Sequence, residues 1–417
     1  MNSLYVCYFG IDQPLVQTQV LPYLRLLAGG QGDQEAPCPI KVTLLTFETD
    51  FDGDARERFE KTRRDLSEEG IDWHCLKYHR TPSVPATAYD IFRGALFVRK
   101  LIARKHIDLI HCRVHVPGLM GVLGRKLSFQ RRPNILFDIR GFFPEEYVDA
   151  GIWKKDGILF QIAKRIEGWL LRESDGFVVL TDKAREIVGR RIGSKPVEVI
   201  PCCVDLDRFN RVTKTEEIET RSEIGNEGRL TAVYIGSFGG WYLTEETVTA
   251  FRKLREIRPD SFALILTQSD RDNIKARMEL SGFKPSDYKI MKVAPKDVPR
   301  YLACADIALS FIKPSYSKVA SSPTKNAEYL ASGLPILANS GIGDTSEQLS
   351  EDCTGVVIED LSEDGVERGV RKIVEMVESV PDLQERCRQS AHRRFSLKEL
   401  GGPAYRKIYK RIAWSAD

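Results

Sequence analysis

The sequence predicts an α/β protein built from two doubly wound domains, each around a parallel sheet. Its 417 residues exceed the usual size of a single core. Short β-rich apolar runs alternate with helical stretches, which is the pattern of βαβ units. The alternation breaks once, in the polar stretch 210–229, and then resumes. Ligands of such sheets bind outside the carboxyl ends of the strands, so a cleft between two facing domains is the expected site.

The predicted elements follow from this alternation. Strands of the first half are predicted at Leu4–Phe9, Lys41–Phe47, Asp108–Cys112, Asn134–Phe137, Gly176–Leu180 and Val197–Ile200, and helices at Gln17–Leu27, Ala55–Glu69, Tyr89–Lys105 and Lys164–Arg172. Strands of the second half are predicted at Thr231–Ile235, Ser261–Thr267, Tyr288–Lys292, Ile307–Phe311, Pro335–Asn339 and Thr354–Ile358. We therefore expect domains at 1–203 and 204–398, with a final helix in 399–417 that packs back on the first domain.

Composition narrows the function classes. Hydrophobic residues make up 42% and charged residues 29%, and no apolar run approaches the roughly 20 residues of a membrane span. The first residues lack a basic region and read as a strand, not as a signal peptide. A net charge of +3 is too small to indicate nucleic-acid binding. Nine cysteines and six histidines are dispersed without metal-ligand spacing, so we expect reduced thiols, a cytoplasmic protein and no metal site.

The segment 321–335 is the most informative part of the chain. Ser322 is predicted as a helix N-cap and Pro323 as the first helical residue, with Gly333 and Pro335 closing the element. This is the pattern of a helix whose N-terminus is free to receive a ligand.

Two charged residues of this helix indicate the ligand. Lys325 falls in the first turn, where the helix dipole favours an anion and disfavours a cation. A lysine is favourable there if a phosphate lies between its ammonium and the free backbone N–H groups. Glu328 lies one turn further on roughly the same face, where a carboxylate suits ribose hydroxyls. The two features together predict a nucleotide site. The alternative is a surface helix in which Lys325 and Glu328 pair with each other.

Loops after two other predicted strands carry possible ligand groups. Gly10 follows the first strand and leads to Asp12 and Gln19, whose side chains suit a sugar; the alternative is ordinary loop chemistry. This turn lacks the Gly-x-Gly-x-x-Gly fingerprint of nicotinamide enzymes.

In the second half, Ser237, Gly239 and Gly240 lie in a loop that allows close backbone approach to a diphosphate, although glycine-rich loops are common.

Two further segments at strand ends contain titratable residues. His111 is interpreted as a core histidine, whereas His115, further past the strand, is expected near the ligand. After the next strand, Asp138, Arg140 and Glu146 suit phosphate or sugar recognition; the alternative is that Arg140 pairs internally with Asp138 or Glu146.

Two basic amphipathic segments, 153–172 and 405–414, would suit contact with a membrane surface, or simply dock on the fold.

Together these residues resemble the family-4 retaining glycosyltransferases, which have the GT-B fold of two facing Rossmann-like domains. The resemblance covers almost the whole chain. It rests on the start at Pro14–Leu24, the Asp138–Gly141 segment, the linker from Ile200 to Phe209, the Gly236-Ser237 loop and the Ser322–Pro335 helix. The start is similar to that of bacterial members that act on polysaccharide precursors.

The resemblance implies transfer of a sugar from a nucleotide-diphosphate donor to a glycan or lipid-linked acceptor, with retention and without a metal or other cofactor. It implies that Glu328 binds the donor ribose and that Lys325, with the backbone of Ser322–Thr324, faces the diphosphate. His115 would lie near the donor sugar. Arg140 would supply further positive charge, and the acceptor would contact the first domain.

The chain departs from the family pattern at two places. Ala320 occupies the position of the first glutamate in the Glu-x7-Glu motif, and the loop after Ser237 lacks the Arg and Lys that neutralise the diphosphate. Two other hypotheses therefore stay open: a nucleotide-sugar-binding partner subunit with weak catalysis, and an epimerase or phosphorylase on the same fold.

Overall fold

The computed structural model describes residues 1–29, 40–49, 51, 55–129 and 131–413. It divides into two compact units. The first contains Met1–Pro201 together with the terminal segment from Leu397, and the second contains Cys202–Ser396. The last residues of the predicted terminal segment, 414–417, lie outside the described residues.

The first unit contains a seven-stranded parallel sheet. Its strands are β1 (Asn2–Val6), β2 (Lys41–Glu48), β3 (Ile71–Lys77), β4 (Leu109–Arg113), β5 (Asn134–Ile139), β6 (Gly176–Val179) and β7 (Val197–Val199), in the order β3-β2-β1-β4-β5-β6-β7. Its first helices are α1 (Pro14–Gln19), α2 (Leu21–Ala28), α3 (Ala55–Glu68), α4 (Ser83–Lys105), α5 (His115–Lys126), α6 (Phe143–Asp149), α7 (Ile158–Glu173) and α8 (Asp182–Ile192). The strand order reverses between β1 and β4, where doubly wound sheets bind ligands.

The second unit contains a six-stranded parallel sheet of the same kind. Its strands are β8 (Thr231–Ile235), β9 (Phe262–Leu266), β10 (Tyr288–Met291), β11 (Ile307–Ser310), β12 (Ile336–Asn339) and β13 (Gly355–Ile358), in the order β10-β9-β8-β11-β12-β13. Its helices are α9 (Asp207–Asn210), α10 (Lys214–Ile224), α11 (Thr244–Ile257), α12 (Arg271–Leu280), α13 (Val298–Leu302), α14 (Thr324–Ala331), α15 (Thr345–Asp352), α16 (Glu363–Ser379) and α17 (Leu383–Phe395).

Both faces of the second sheet are covered. Val233 of β8 packs into one hydrophobic cluster, whereas its neighbours Ala232 and Tyr234 pack into the cluster on the opposite face. Alternate residues of a strand point to opposite faces, so a strand buried on both faces must be apolar throughout. This explains why continuous apolar runs predicted these strands.

The terminal helix α18 (Gly402–Ala413) packs within the first unit. Its Tyr405 hydroxyl lies 3.0 Å from Asp138 Oδ2, and its Tyr409 hydroxyl lies 2.8 Å from His111 Nδ1. The Asn134 side chain also donates to the carbonyl of Ile412 at 3.0 Å. Helix α18 thus completes the core beneath β4 and β5.

The predicted α/β class is confirmed, with three local corrections. The edge strand β3 is missing from the prediction, because its sequence mixes apolar and charged residues. The helix predicted over Gln17–Leu27 is two helices, since Val20 has non-helical angles and Pro22 lies in the first turn of the second, which begins at Leu21. The polar stretch 210–229 contains helix α10, capped by the Thr213 side chain, which accepts from the backbone of Glu216.

Candidate functional site

Helix α14 presents its N-terminus without a polar cap. The prediction of Ser322 as the N-cap is wrong: its Oγ accepts a hydrogen bond from the backbone of Cys202 at 3.1 Å. Pro323 is the N-cap and has no side chain that could accept from the first turn. At the other end Gly333 has φ of 81°, and the next residue, Leu334, donates back to the carbonyl of Tyr329 at 2.9 Å. The element therefore ends as predicted and begins one residue later.

Lys325 lies in the first turn of α14 and is only 8% exposed. Its Nζ has no hydrogen-bond partner among the residues that the structure describes. The ammonium lies over the rings of Tyr234 and Tyr242, 4.5 and 4.8 Å from their centroids. Burial lowers the pKa of Lys325 from 10.5 to about 7. The site therefore holds a cation whose counter-charge this unit does not provide.

Glu328 is half-buried one turn further along α14. Burial raises its pKa to about 7, and the guanidinium of Arg208 partly opposes that shift. The surface pair of Lys325 and Glu328, which the sequence left open as the alternative, is not among the ion pairs of the described residues. Arg208, at α9 in the linker, was missed by the sequence analysis, although the linker motif contains it.

Tyr329 holds α14 against the sheet. Its hydroxyl accepts from the backbone of Ile235 at 2.7 Å and donates to the carbonyl of Leu309 at 3.2 Å. Ile235 ends β8 and Leu309 lies in β11, so a single side chain joins the helix to two neighbouring strands. This contact keeps the first turns of α14 beside the loop that follows β8.

That loop is built on glycines with positive φ. Gly236, Gly239 and Gly240 have φ of 136°, 80° and 63°, which other residues rarely adopt. The carbonyl of Ser237 accepts from the Tyr234 hydroxyl at 2.6 Å. The amide of Gly239 already donates to Thr244 Oγ1 at 3.1 Å. The conformation is therefore stabilised within the loop.

Lys318 lies beside this loop and was also missed. Its ammonium lies 4.3 Å from the ring centroid of Trp241, and the Trp241 carbonyl accepts from the backbone of Lys313 at 2.7 Å. Lys318 belongs to the 3₁₀ segment Tyr316–Ala320, distant in sequence from the loop. The contact with Trp241 brings a second cation to this region.

In the first unit Asp138 is fully buried at the end of β5. His111 Nε2 lies 3.3 Å away, and guanidinium nitrogens of Arg113 and Arg140 lie 3.7 Å away. Burial alone would raise the pKa of Asp138, but Arg140, His111 and Arg113 outweigh it and lower the pKa to about 2. The internal pairing that the sequence left open is therefore present between Asp138 and Arg140. Arg140 Nη2 also donates to Gln19 Oε1 at 3.4 Å.

His115 begins helix α5 and is buried. Its Nε2 lies 3.7 Å from Glu167 Oε2, and its ring packs against Phe137 and Phe143. The preceding Val114 has φ of 64° and ψ of −175°, a region that is essentially restricted to glycine. Strain of this kind at a branched residue concentrates at functional sites, so the β4–α5 junction is a candidate.

Three remaining predicted residues have simpler surroundings. Gly10 allows the Glu48 side chain to approach the backbone closely, since a Cβ at position 10 would lie 2.7 Å from Glu48 Oε2. Asp12 is exposed and lies 3.6 Å from Arg58. Glu146, in α6, closely approaches the backbone of Gly141. None of these contacts identifies a ligand.

The described residues contain no group of three or more His, Cys, Asp or Glu side chains that could hold a metal ion. None of the described helices combines the length and apolar character that crossing a membrane requires.

The two parallel sheets define a two-domain α/β architecture, and family models identify the class of protein. The model described as Glycosyltransferase Family 4 matches residues 39–208, and the model described as Glycosyl transferases group 1 matches residues 216–394. The chain belongs to this family of GT-B glycosyltransferases. No curated protein matches the chain by sequence.

Solved structures share the fold over the whole chain. A glycosyltransferase from Rickettsia africae matches with a TM-score of 0.69 at 14% identity, covering 100% of this chain and 99% of that one. Anabaena HepE in complex with UDP matches with a TM-score of 0.69 at 12% identity, covering 98% and 100%. Sucrose-phosphate synthase from Thermosynechococcus elongatus matches with a TM-score of 0.68 at 13% identity, covering 99% and 100%.

Proposed function

We propose that this chain is a retaining, metal-independent hexosyltransferase that takes its sugar from a nucleotide-diphosphate donor. The observation that carries the proposal is Lys325, a buried cation at a helix N-terminus with no hydrogen-bond partner among the described residues. A buried charge is costly unless it is paired. A donor diphosphate would supply the missing negative charge, and the first-turn N–H groups of α14 would add to its binding.

Glu328 supports a nucleotide over a simple phosphate. A raised pKa of about 7 leaves this carboxyl able to accept from, or donate to, ribose hydroxyls near neutral pH. UDP is the first nucleotide to test, because HepE was solved in complex with UDP.

During transfer, negative charge develops on the leaving diphosphate. Lys325 and the N-terminus of α14 would stabilise it, which is electrostatic stabilisation by groups already in position. Lys318 is a further candidate, in place of the Arg and Lys that the loop after Ser237 lacks. We further propose His115 as a group that contacts the donor sugar and Arg140 as an additional cation.

For the acceptor we propose a glycan or a lipid-linked saccharide. The start of α7 supports a lipid-linked one: Ile152, Ile158 and Leu159 are exposed beside Lys154 and Lys155. Apolar side chains flanked by lysines suit the surface of an anionic membrane. The enzyme would then work at the cytoplasmic face.

A nucleotide-sugar-binding subunit with weak catalysis is the second candidate. Ala320, in place of the family's first glutamate, is buried and supplies no polar group to a donor sugar. This candidate predicts binding of the donor without turnover.

Thermal unfolding with UDP, GDP, ADP and their glucose conjugates tests the proposal. A ligand at 100 times its Kd adds roughly 2.7 kcal/mol to the folded state, so one nucleotide should raise the unfolding midpoint clearly. Glu328→Ala should remove the rise, and Lys275→Met, at an exposed lysine of α12, should keep it. No rise with any nucleotide would contradict the proposal. If a nucleotide sugar raises the unfolding midpoint but no nucleotide is released when acceptors are supplied, the binding-subunit candidate is favoured.

A further inference from the structure

A second polar cluster lies past the carboxyl ends of β1 and β3 in the first unit. Tyr8 follows β1, Tyr78 and His79 follow β3, and helix α4 contributes Asp90. The sequence analysis did not single out any of them. Carboxyl ends of parallel strands are where α/β sheets bind ligands.

Asp90 is fully buried and is held by three hydrogen bonds. Its Oδ1 lies 2.5 Å from His79 Nδ1, and its Oδ2 accepts from the His79 backbone at 2.9 Å and from the Tyr8 hydroxyl at 2.7 Å. A buried carboxylate in this position keeps the proton of the imidazole on Nδ1 and fixes the plane of the ring.

The opposite side of the imidazole is open. The side chain of His79 is 30% exposed, and the described residues give its Nε2 no hydrogen-bond partner. Nε2 accepts when the ring is neutral and donates when it is protonated, so it can bond a hydroxyl group in either state. A fixed, exposed imidazole nitrogen differs from a core histidine such as His111, whose two ring nitrogens both have partners in the first unit.

Aromatic residues neighbour His79, Tyr89 in the fold and Tyr78 in the sequence. Tyr89 is 51% exposed and lies edge-on to His79, with the ring centroids 5.1 Å apart. Tyr78 lies 5.1 Å from Tyr8 and contributes to the raised pKa of Tyr147 on α6, so α6 approaches the same region. Aromatic faces with a few fixed polar groups suit a ligand that has both an apolar face and hydroxyls. A sugar ring is such a ligand.

We propose that His79, Tyr78 and Tyr89 bind a sugar ring of the acceptor, and that Asp90 positions His79 for this contact. His79 Nε2 bonds one hydroxyl, and the tyrosine rings cover the apolar face of the sugar. The inference rests on the proposed function and assigns its acceptor as a saccharide bound by the first unit. The donor contacts proposed above lie on α14, in the other unit.

Saturation-transfer NMR of the full chain tests the site with defined probes: the methyl α-glycosides of glucose, galactose, mannose and N-acetylglucosamine, added with UDP present. At least one should give saturation transfer to its ring protons. His79→Ala should weaken that glycoside at least 10-fold, and Tyr89→Ala, at an exposed position, about 3- to 10-fold. His74→Ala is the matched control, because His74 pairs with Asp72 on the same strand at 3.1 Å.

The role of Asp90 needs a spectroscopic measurement. The ring nitrogen shifts of His79 should report a proton on Nδ1 in the original chain and a changed tautomer in Asp90→Asn, with weaker glycoside binding. Unchanged nitrogen shifts in this variant would show that Asp90 does not position the ring.

Equal glycoside signals in the original chain, His79→Ala and Tyr89→Ala would overturn the proposal, as would the absence of signal with every glycoside. The UDP-induced rise in unfolding midpoint is recorded for each sample. A UDP-induced rise without glycoside binding refutes the acceptor site alone, whereas the absence of that rise in the original chain refutes UDP as the donor nucleotide.

Discussion

Lys325 in the second unit and Asp138 in the first are both buried charges near the ends of parallel strands, but their surroundings are opposite. Asp138 is surrounded by His111, Arg113 and Arg140, and its pKa is lowered to about 2 because its charge is compensated. Lys325 is surrounded by tyrosine rings, and burial lowers its pKa to about 7. The difference teaches that burial alone does not identify a ligand site. The informative feature is a buried charge for which the described residues supply no partner.

The largest expected effect is on the pH dependence of stability. An unfolded lysine keeps its proton up to about pH 10.5 while folded Lys325 releases it near pH 7, so the unfolded state binds more protons in that window and stability rises with pH. A shift of this size corresponds to as much as about 5 kcal/mol. Glu328 has the opposite effect at lower pH. Its pKa is about 7 in the folded state and 4.5 in the unfolded state, so the folded state binds more protons between pH 4.5 and 7 and stability falls as the pH rises through that range.

Urea unfolding of the ligand-free protein at pH 7 and pH 9.5 measures how much the free energy of unfolding rises with pH. Lys325→Met removes the titrating group, so its advantage over the original chain should be largest at pH 7 and shrink at pH 9.5. An advantage independent of pH would mean that Lys325 is not held in a desolvated site.

Asp138→Asn tests the compensated charge. Removing one partner of a buried ionic network costs about 3–5 kcal/mol, because the remaining charges stay buried. We expect the free energy of unfolding of the first unit to fall by that amount. Asp12→Asn, at an exposed pair with Arg58, should change it by less than about 1 kcal/mol. A small effect at Asp138 would show that its network is not what stabilises the end of β5.

Lys325→Met should lower the rate of sugar transfer about 10²- to 10³-fold, as does the loss of one group that stabilises developing negative charge. The comparison predicts that Lys325→Met loses activity but keeps its stability, whereas Asp138→Asn loses stability. Steady-state kinetics with the identified donor measure the rate of transfer, and Lys275→Met is the control. Full activity of Lys325→Met would remove Lys325 from the reaction.

Glu328→Gln should weaken donor binding by about 1.5–3 kcal/mol if the carboxylate bonds the ribose hydroxyls. Calorimetry with UDP and with 2′,3′-dideoxy-UDP isolates the contact. The original chain should prefer UDP, and Glu328→Gln should bind both about equally. If the variant kept the preference, another residue would be responsible for ribose recognition.

Tyr242→Leu should have the smallest effect. Loss of one cation–π contact with Lys325 is worth about 0.5–2 kcal/mol, so UDP should bind roughly 5-fold more weakly. Tyr242→Phe keeps the ring and should bind UDP normally. Equal weakening in both variants would assign the effect to the hydroxyl instead.

Much of the fold was predictable because both sheets are buried on both faces. Continuous apolar runs between helical stretches predicted all strands except β3, whose edge position relaxes the need for apolar residues. The Ser322–Pro335 segment indicated a helix that receives an anion from local features alone: a proline near the start, a glycine after the end and a lysine in the first turn.

Long-range contacts were not predictable from the sequence. Ser322 bonds the backbone of Cys202, Lys318 reaches Trp241, and Asp90 holds His79. In each case the two residues lie in different elements, and no local pattern records the pairing.

The sequence by itself determined the α/β class, the family and the helix that carries Lys325 and Glu328, because strand and helix periodicity and end signals are local properties. Only the tertiary structure decided which buried charges are compensated. Asp138 was predicted as a ligand group and is paired inside the chain, whereas Lys325, for which the sequence left a surface pair open as the alternative, lies against tyrosine rings and has no hydrogen-bond partner for its ammonium among the described residues. Charge compensation depends on residues of different strands as well as on sequence neighbours: His111 and Arg113 of β4 reach Asp138 of β5, and folding sets those distances.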